Sequence, residues 1–117
     1  MPKADGITRV RKIALALDDV AEGTTFGFPC FKVKDRFFAW FPKKKEVEPG
    51  SMGAKVSFVE RDHRIAARPD LFYFTPHYKD YPSVLARVDK MKDAEIRELL
   101  ESAYEFVLAS AKAKRKR

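Results

Sequence analysis

One cysteine, two histidines and five glycines are all that 117 residues offer of the groups on which metal, redox and phosphate-loop chemistry usually depend. A lone Cys30 excludes an intramolecular disulfide, and its place inside an apolar run marks it as a buried thiol in a reducing compartment. His63 and His77 stand far apart, and neither Cys-x-x-Cys nor His-Glu-x-x-His occurs. With no nucleophile beside a base and no obvious carboxylate pair, the expectation is a protein that is not an enzyme, holds no metal and needs no cofactor. Long apolar runs are also missing. Near the N-terminus the longest is Ile13 to Leu17, too short for a signal-peptide core or a bilayer span, so a cytoplasmic chain without membrane contact is expected.

What is present is aromatic and basic. A chain of this length forms one domain, residues 1–117, that buries roughly two-thirds of the surface its unfolded form exposes. The net charge of +7 is unevenly spread. Residues 32–45 carry six basic residues against Asp35, and the tail KAKRKR at residues 112–117 adds five more; the remainder is mildly acidic. Such segregation points to a directed electrostatic face, although a basic tail is also what a frayed helix end looks like. Between Thr25 and Pro42 the sequence TFGFPCFKVKDRFFAWFP gathers seven of the fifteen aromatic residues.

Periodicity orders the elements. Thr8 can cap a first helix carrying Val10, Ile13, Ala14 and Leu17 on one face, ending near Asp18 and Asp19. A turn and short strand at 22–27 precede a hairpin of Phe31–Lys34 and Phe37–Phe41 joined by Asp35-Arg36. The loop Lys43–Gly53 reads as the most mobile segment, and Ala54, Val56 and Phe58 alternate as a further antiparallel strand. A short helix over 60–68 must stop before Pro69. Strands at Leu71–Phe74 and Ser83–Val88 follow, and Asp93 caps a last helix with Ile96, Leu99, Leu100, Ala103, Val107 and Ala111 in one stripe. The fold class is therefore α+β, in the order helix, three strands, helix, two strands, helix.

With Asp35-Arg36 as the connection, one hairpin side carries Phe31, Val33, Phe38 and Trp40 and belongs in the core. The other carries Lys32, Lys34, Phe37, Ala39 and Phe41. Ammonium groups among rings suit a phosphate backbone with stacked bases, yet the same residues also suit a covered face from which lysines snorkel outward. Arg36 and the following Lys43, Lys44 and Lys45 extend the positive stretch. Arg61, Arg64 and Arg68 fall on one helical face and could meet phosphates or form an ordinary solvated face. The tail would add Lys112, Lys114, Arg115, Lys116 and Arg117. In the loop between the last two strands, His77 reads as a group that binds a ligand or acts as a base, or as a hydrogen-bonded structural histidine, and Tyr78 and Tyr81 either stack on a partner or pin the loop.

Three stretches resemble the MmcQ/YjbR family of small bacterial proteins: the first helix running into TFGFPCFKVKDRFFAWF, then FYFTPHYKDYPSVLARVD from Phe72, then DAEIRELLESAYEFV from Asp93. The resemblance covers nearly the whole chain. It implies a YjbR-like α+β fold with a secretion-chaperone-like arrangement, whose paired β-structures resemble a double wing and for which DNA binding is the common description. Lys32, Lys34 and Arg36 match its basic hairpin. Thr75, Pro76, His77, Tyr78, Tyr81 and Pro82 match its loop motif, whose role is unknown.

The leading expectation is a non-enzymatic DNA-binding protein in which hairpin and tail contact phosphates. The alternative is a protein-interaction or chaperone-like module, as a homodimer or with another protein partner, and a small-molecule site around His77 stands third.

Overall fold

The computed structural model describes residues 6–115, with side chains described through residue 110. The tail residues Lys112, Lys114, Arg115, Lys116 and Arg117, and Ala111 of the helical stripe, therefore lie outside the described side chains. Three helices, α1 (Gly6–Ala14), α2 (Phe58–Ala67) and α3 (Asp93–Arg115), accompany six strands: β1 (Val20–Thr25), β2 (Phe28–Val33), β3 (Arg36–Trp40), β4 (Met52–Lys55), β5 (Phe72–Tyr73) and β6 (Ser83–Ala86). Short 3-10 turns occupy Pro76–Tyr78 and Val88–Lys90. The strands form one antiparallel sheet in the order β1-β2-β3-β4-β6-β5, in keeping with the α+β expectation, although four strands and not three precede α2 because the short segment before the hairpin is a full strand, β1.

The helical stripe of α3 closes over one face of the sheet. Ile96, Leu99, Leu100, Ala103 and Val107 pack there with Val10 and Ile13 of α1 against Phe31, Val33, Phe38 and Met52. Helix α1 begins at Gly6, so Thr8 lies inside its first turn and is not the residue that caps it. Gly6 has a packing reason to open the helix: a Cβ there would meet Val88 Cγ2 at 2.6 Å. Helix α2 also starts earlier than the alternation of Ala54, Val56 and Phe58 implies. Ser57 accepts a hydrogen bond from the backbone N–H of Glu60 at 3.1 Å, so Phe58 opens the helix and β4 ends at Lys55. At the other end the helix stops at Arg68, before Pro69, as expected.

The hairpin differs most from its reading. Its two-residue connection is Lys34-Asp35, both at positive φ (53° and 64°), the pattern of a type I′ turn, and not Asp35-Arg36. Phe31 pairs with Ala39 but Lys32 pairs with Phe37, leaving Phe38 as an extra residue in a β-bulge. The bulge resets the alternation. Phe38, Ala39 and Phe41 join the helix-covered core, while Trp40 leaves it for the opposite face, where it pairs with Cys30 and packs near Phe37. The expected side shared by Phe31, Val33, Phe38 and Trp40 is thus corrected at Trp40, and that of Lys32, Lys34, Phe37, Ala39 and Phe41 at its last two members. A second turn of the same kind, Phe26-Gly27 with φ of 51° and 79°, joins β1 to β2.

Candidate functional site

The face of the sheet away from α1 and α3 carries a second, smaller cluster of Cys30, Trp40, Val47, Tyr78 and Leu85, flanked by Phe37 and Tyr73. Strand alternation supplies its members. Met52, Ala54 and Val56 point to the main core, so Gly53 and Lys55 point the other way. Trp40 needs that glycine: a Cβ at Gly53 would lie 2.4 Å from Cε2 and Cζ2 of the indole. Phe37 meets Trp40 edge-on at 5.6 Å between centroids, and Tyr78 tilts against it at 5.9 Å. Burial pushes the Cys30 thiol up from its ordinary value, which makes it a packing residue rather than a nucleophile.

The loop over this face is held at several points. Val47 is buried in the cluster, and the Tyr73 hydroxyl accepts from the Glu48 backbone N–H at 2.9 Å and shares a hydrogen bond with Ser51 Oγ at 2.7 Å. Arg87 stacks 4.4 Å from the Tyr73 centroid and binds both Glu48 carboxylate oxygens at 2.7 and 2.8 Å. The Lys43–Gly53 segment, expected to be the mobile one, is instead tied to the sheet.

Beside this cluster lies a groove of about 840 Å³. Phe37, Trp40, Tyr78, Tyr81 and Phe26 supply rings to it, and Arg36, Lys44 and Lys55 supply positive charge; Asp35 is the one carboxylate residue lining it. Lys55 Nζ sits 4.0 Å from the Phe37 ring centroid. Lys44 Nζ lies 2.9 Å from His77 Nε2 and 5.9 Å from the Tyr78 centroid. The contact ties the His77 ring to the Lys44 side chain at the groove edge. His77 also packs edge-on against Tyr78 at 4.7 Å and lies 6.2 Å from Tyr81. Rings and cations in one recess have the chemistry to hold a planar, negatively charged group. Among the described residues no cluster of three His, Cys, Asp or Glu is arranged to hold a metal ion, and no helix is long and apolar enough to cross a membrane.

The family model described as YjbR matches residues 15–106. The chain belongs to the YjbR family. A crystal structure of the Deinococcus radiodurans protein DR2400, with the domain DUF419, is similar in fold at a TM-score of 0.74 and 23% identity, over 94% of this chain and 85% of that one. A search of curated proteins gives no match. The YjbR match contains the hairpin, the tethered loop, and Lys44, Lys55 and His77; residues 112–117 fall beyond it.

Within this YjbR fold the candidate residues separate. Lys32 lies on the second face opposite Phe37, its side chain running over Gly23. Arg36, Phe37 and Lys44 line the groove, Lys34 is exposed in the turn, and Lys43 and Lys45 are exposed in the loop. The three α2 arginines do not form one row facing outward. Arg61 is buried, donates to the Lys79 carbonyl at 2.8 Å and stacks on Phe58 and Phe74. Arg64 binds Glu60, Glu98 and Ser102, and Arg68 binds Asp70 and Glu95. Of the loop motif, Thr75 is buried with no hydrogen bond to its hydroxyl among the described residues, and Pro76 opens the 3-10 turn. Tyr78 pins that turn to Trp40, whereas His77 and Tyr81 are exposed and Pro82 lines the groove. Sequence reasoning missed Lys55, Trp40 and Phe26 as groove residues. Lys55 was legible from its alternation with Ala54 and Val56; Trp40 was hidden by the bulge.

Proposed function

We propose that this YjbR-family protein is a non-enzymatic nucleic-acid-binding protein, with DNA as the leading ligand, that binds through the groove and the basic hairpin beside it. The observation that carries the reading is the composition of the groove: aromatic rings beside Arg36, Lys44 and Lys55, against a single lining carboxylate, Asp35. Rings and cations together suit bases and phosphates. Lys32, opposite Phe37, extends the positive edge, and the tail is a further source of phosphate contacts.

Each phosphate neutralised contributes about −0.7 to −0.9 to the slope of log affinity against log salt, so contacts from Lys32, Arg36, Lys44 and Lys55 give a slope of about −3. Titrating labelled DNA at several salt concentrations, with the parent and with Lys44 and Lys55 changed to Ala, measures it. Absence of binding at low salt overturns the reading, and binding lost only on removing residues 112–117 moves the site to the tail.

A second reading has its own support. Phe58, Val59 and Phe74 are exposed at one end of α2, with Arg61 stacked on both rings. Such an apolar patch suits a protein partner or a second copy, and a dimer that persists in high salt on size-exclusion chromatography would favour it.

A further inference from the structure

Phe26 occupies the tip of the β1–β2 hairpin at φ 51°, in a backbone region that bulky residues avoid, and it is 87% exposed. Glycine or asparagine fits such a turn without that strain. A large ring held in a strained turn with almost all its surface in water contributes little to folding and is the kind of outlier from which function is inferred. It also lines the same groove as Tyr81, itself 57% exposed. Two accessible rings therefore border a recess that Phe37 and Trp40 also line, with Lys44, Lys55 and Arg36 around it.

Phosphate contacts alone need no rings. In a duplex the faces of the bases are stacked on one another and unavailable to side chains, whereas an unpaired strand offers both faces to aromatic residues. The groove volume of about 840 Å³ is far more than a phosphate needs and lies toward the upper end of the range typical of pockets for organic ligands. We infer that the groove takes unpaired bases of a single-stranded nucleic acid, which stack on Phe26 and Tyr81 while the flanking phosphates lie on Lys44, Lys55 and Arg36. This inference rests on the nucleic-acid reading above and specifies the form of nucleic acid that the site accepts.

The chain provides its own probe. Trp40 is the sole tryptophan and lines the groove, so bases entering it change its emission. The test compares an oligo-dT strand of about fifteen nucleotides, a duplex of the same length and an abasic strand carrying the same phosphates, by Trp40 fluorescence and by anisotropy of labelled strands at low salt. The expected result is oligo-dT binding at least tenfold tighter than duplex or abasic strand, with quenching of Trp40.

Two ring variants separate stacking from charge. Phe26→Asn suits the positive φ, so the protein stays folded with an unchanged or raised melting temperature, while oligo-dT affinity falls roughly five- to thirty-fold and the salt slope is retained. Tyr81→Ser, at an exposed position, has the same effect on affinity. Lys55→Ala instead makes the slope shallower by about 0.7. Equal affinity for duplex or abasic strand, or unchanged oligo-dT binding by both ring variants, overturns the stacking inference and leaves the electrostatic reading intact. Failure of all three polymers to bind at low salt overturns both.

Discussion

Replacing Gly53 with alanine tests whether the Trp40 indole lies on the backbone of β4. A Cβ at that position falls 2.4 Å from Cε2 and Cζ2 of Trp40 and 2.8 Å from Cδ2. Optimal carbon contacts lie near 3.5 to 4.0 Å, so the overlap is about 1 Å and involves three ring atoms. The obstacle cannot rotate away easily: Trp40 is 7% exposed and braced by Phe37 at 5.6 Å and Tyr78 at 5.9 Å. Relief must come from shifting the indole or the strand, an overpacking cost of about 1–3 kcal/mol. For a domain of this size that lowers the melting temperature by roughly 4–12 °C.

Urea unfolding followed by circular dichroism gives the free energy, and the emission of the sole tryptophan reports the displacement. Gly23→Ala is the matched control, because a Cβ there meets only the flexible Lys32 side chain, no closer than 3.4 Å, and its cost should stay within about 0.5 kcal/mol. A Gly53→Ala protein as stable as the parent, with unchanged Trp40 emission, would refute this placement of the indole. The groove geometry that depends on it would fall as well.

Arg64→Ala should destabilise the fold by about 1–3 kcal/mol at neutral pH, because it removes hydrogen bonds to Glu60, Glu98 and Ser102 from a side chain that is largely buried. The hydrogen bond from Arg64 holds the Glu98 carboxyl below its ordinary value, so this stabilisation is complete above the usual carboxylate range and is lost as pH falls through the lowered folded value. The gap between parent and variant in thermal melts should narrow below about pH 4; a gap that widens in acid would refute the pairing. Asp35→Gly should stabilise by about 0.5–1 kcal/mol, since Asp35 sits at φ 64°, and a loss of stability in denaturant titrations would return the turn to Asp35-Arg36. Cys30, fully buried with its thiol pushed up by burial, should not react with an aromatic disulfide reagent in the native protein and should react fully in denaturant; fast native reaction would mean that the second cluster is open.

The residues that announced themselves were those governed by local rules. The 3.6-residue spacing from Ile96 to Val107 specified the buried face of α3, and Pro69 ended α2, because neither depends on a distant partner. The hairpin depended on register. A shift of its turn by one residue, with the extra Phe38, exchanged the faces of Trp40 and Ala39, and without glycine at Lys34 or Asp35 the sequence carries no strong mark of the turn. The arginines of α2 failed for a different reason. Helical spacing described Arg61, Arg64 and Arg68 correctly as neighbours in sequence, but their partners Glu98, Glu95 and the Lys79 carbonyl come from elsewhere in the chain. The groove combines both effects, since β3, β4 and the loop after β5 must be correctly registered before Phe37, Lys55 and Tyr81 are seen to share it.

The two kinds of basic residue have divided the work. Arg9, Arg11, Arg64, Arg68 and Arg87 bind Asp93, Glu22, Glu98, Asp70 and Glu48, each through a planar fork suited to holding a carboxylate in place. Lys32, Lys34, Lys43, Lys44 and Lys45 take part in no ion pair among the described residues, and they occupy the hairpin and loop beside the groove. Counting charge alone merges the two sets, yet only the second, together with Arg36 of the groove, leaves positive potential for a partner. Changing Lys32 and Lys44 to Gln should therefore reduce nucleic-acid affinity and make its salt slope shallower by about 1.5, with a melting temperature close to that of the parent. Changing Arg64 and Arg87 to Gln should do the reverse, lowering the melting temperature while leaving the salt slope of the surviving folded protein unchanged. If the arginine variants alter the slope as much as the lysine variants do, the division is wrong and the binding surface extends to the α2 side of the molecule.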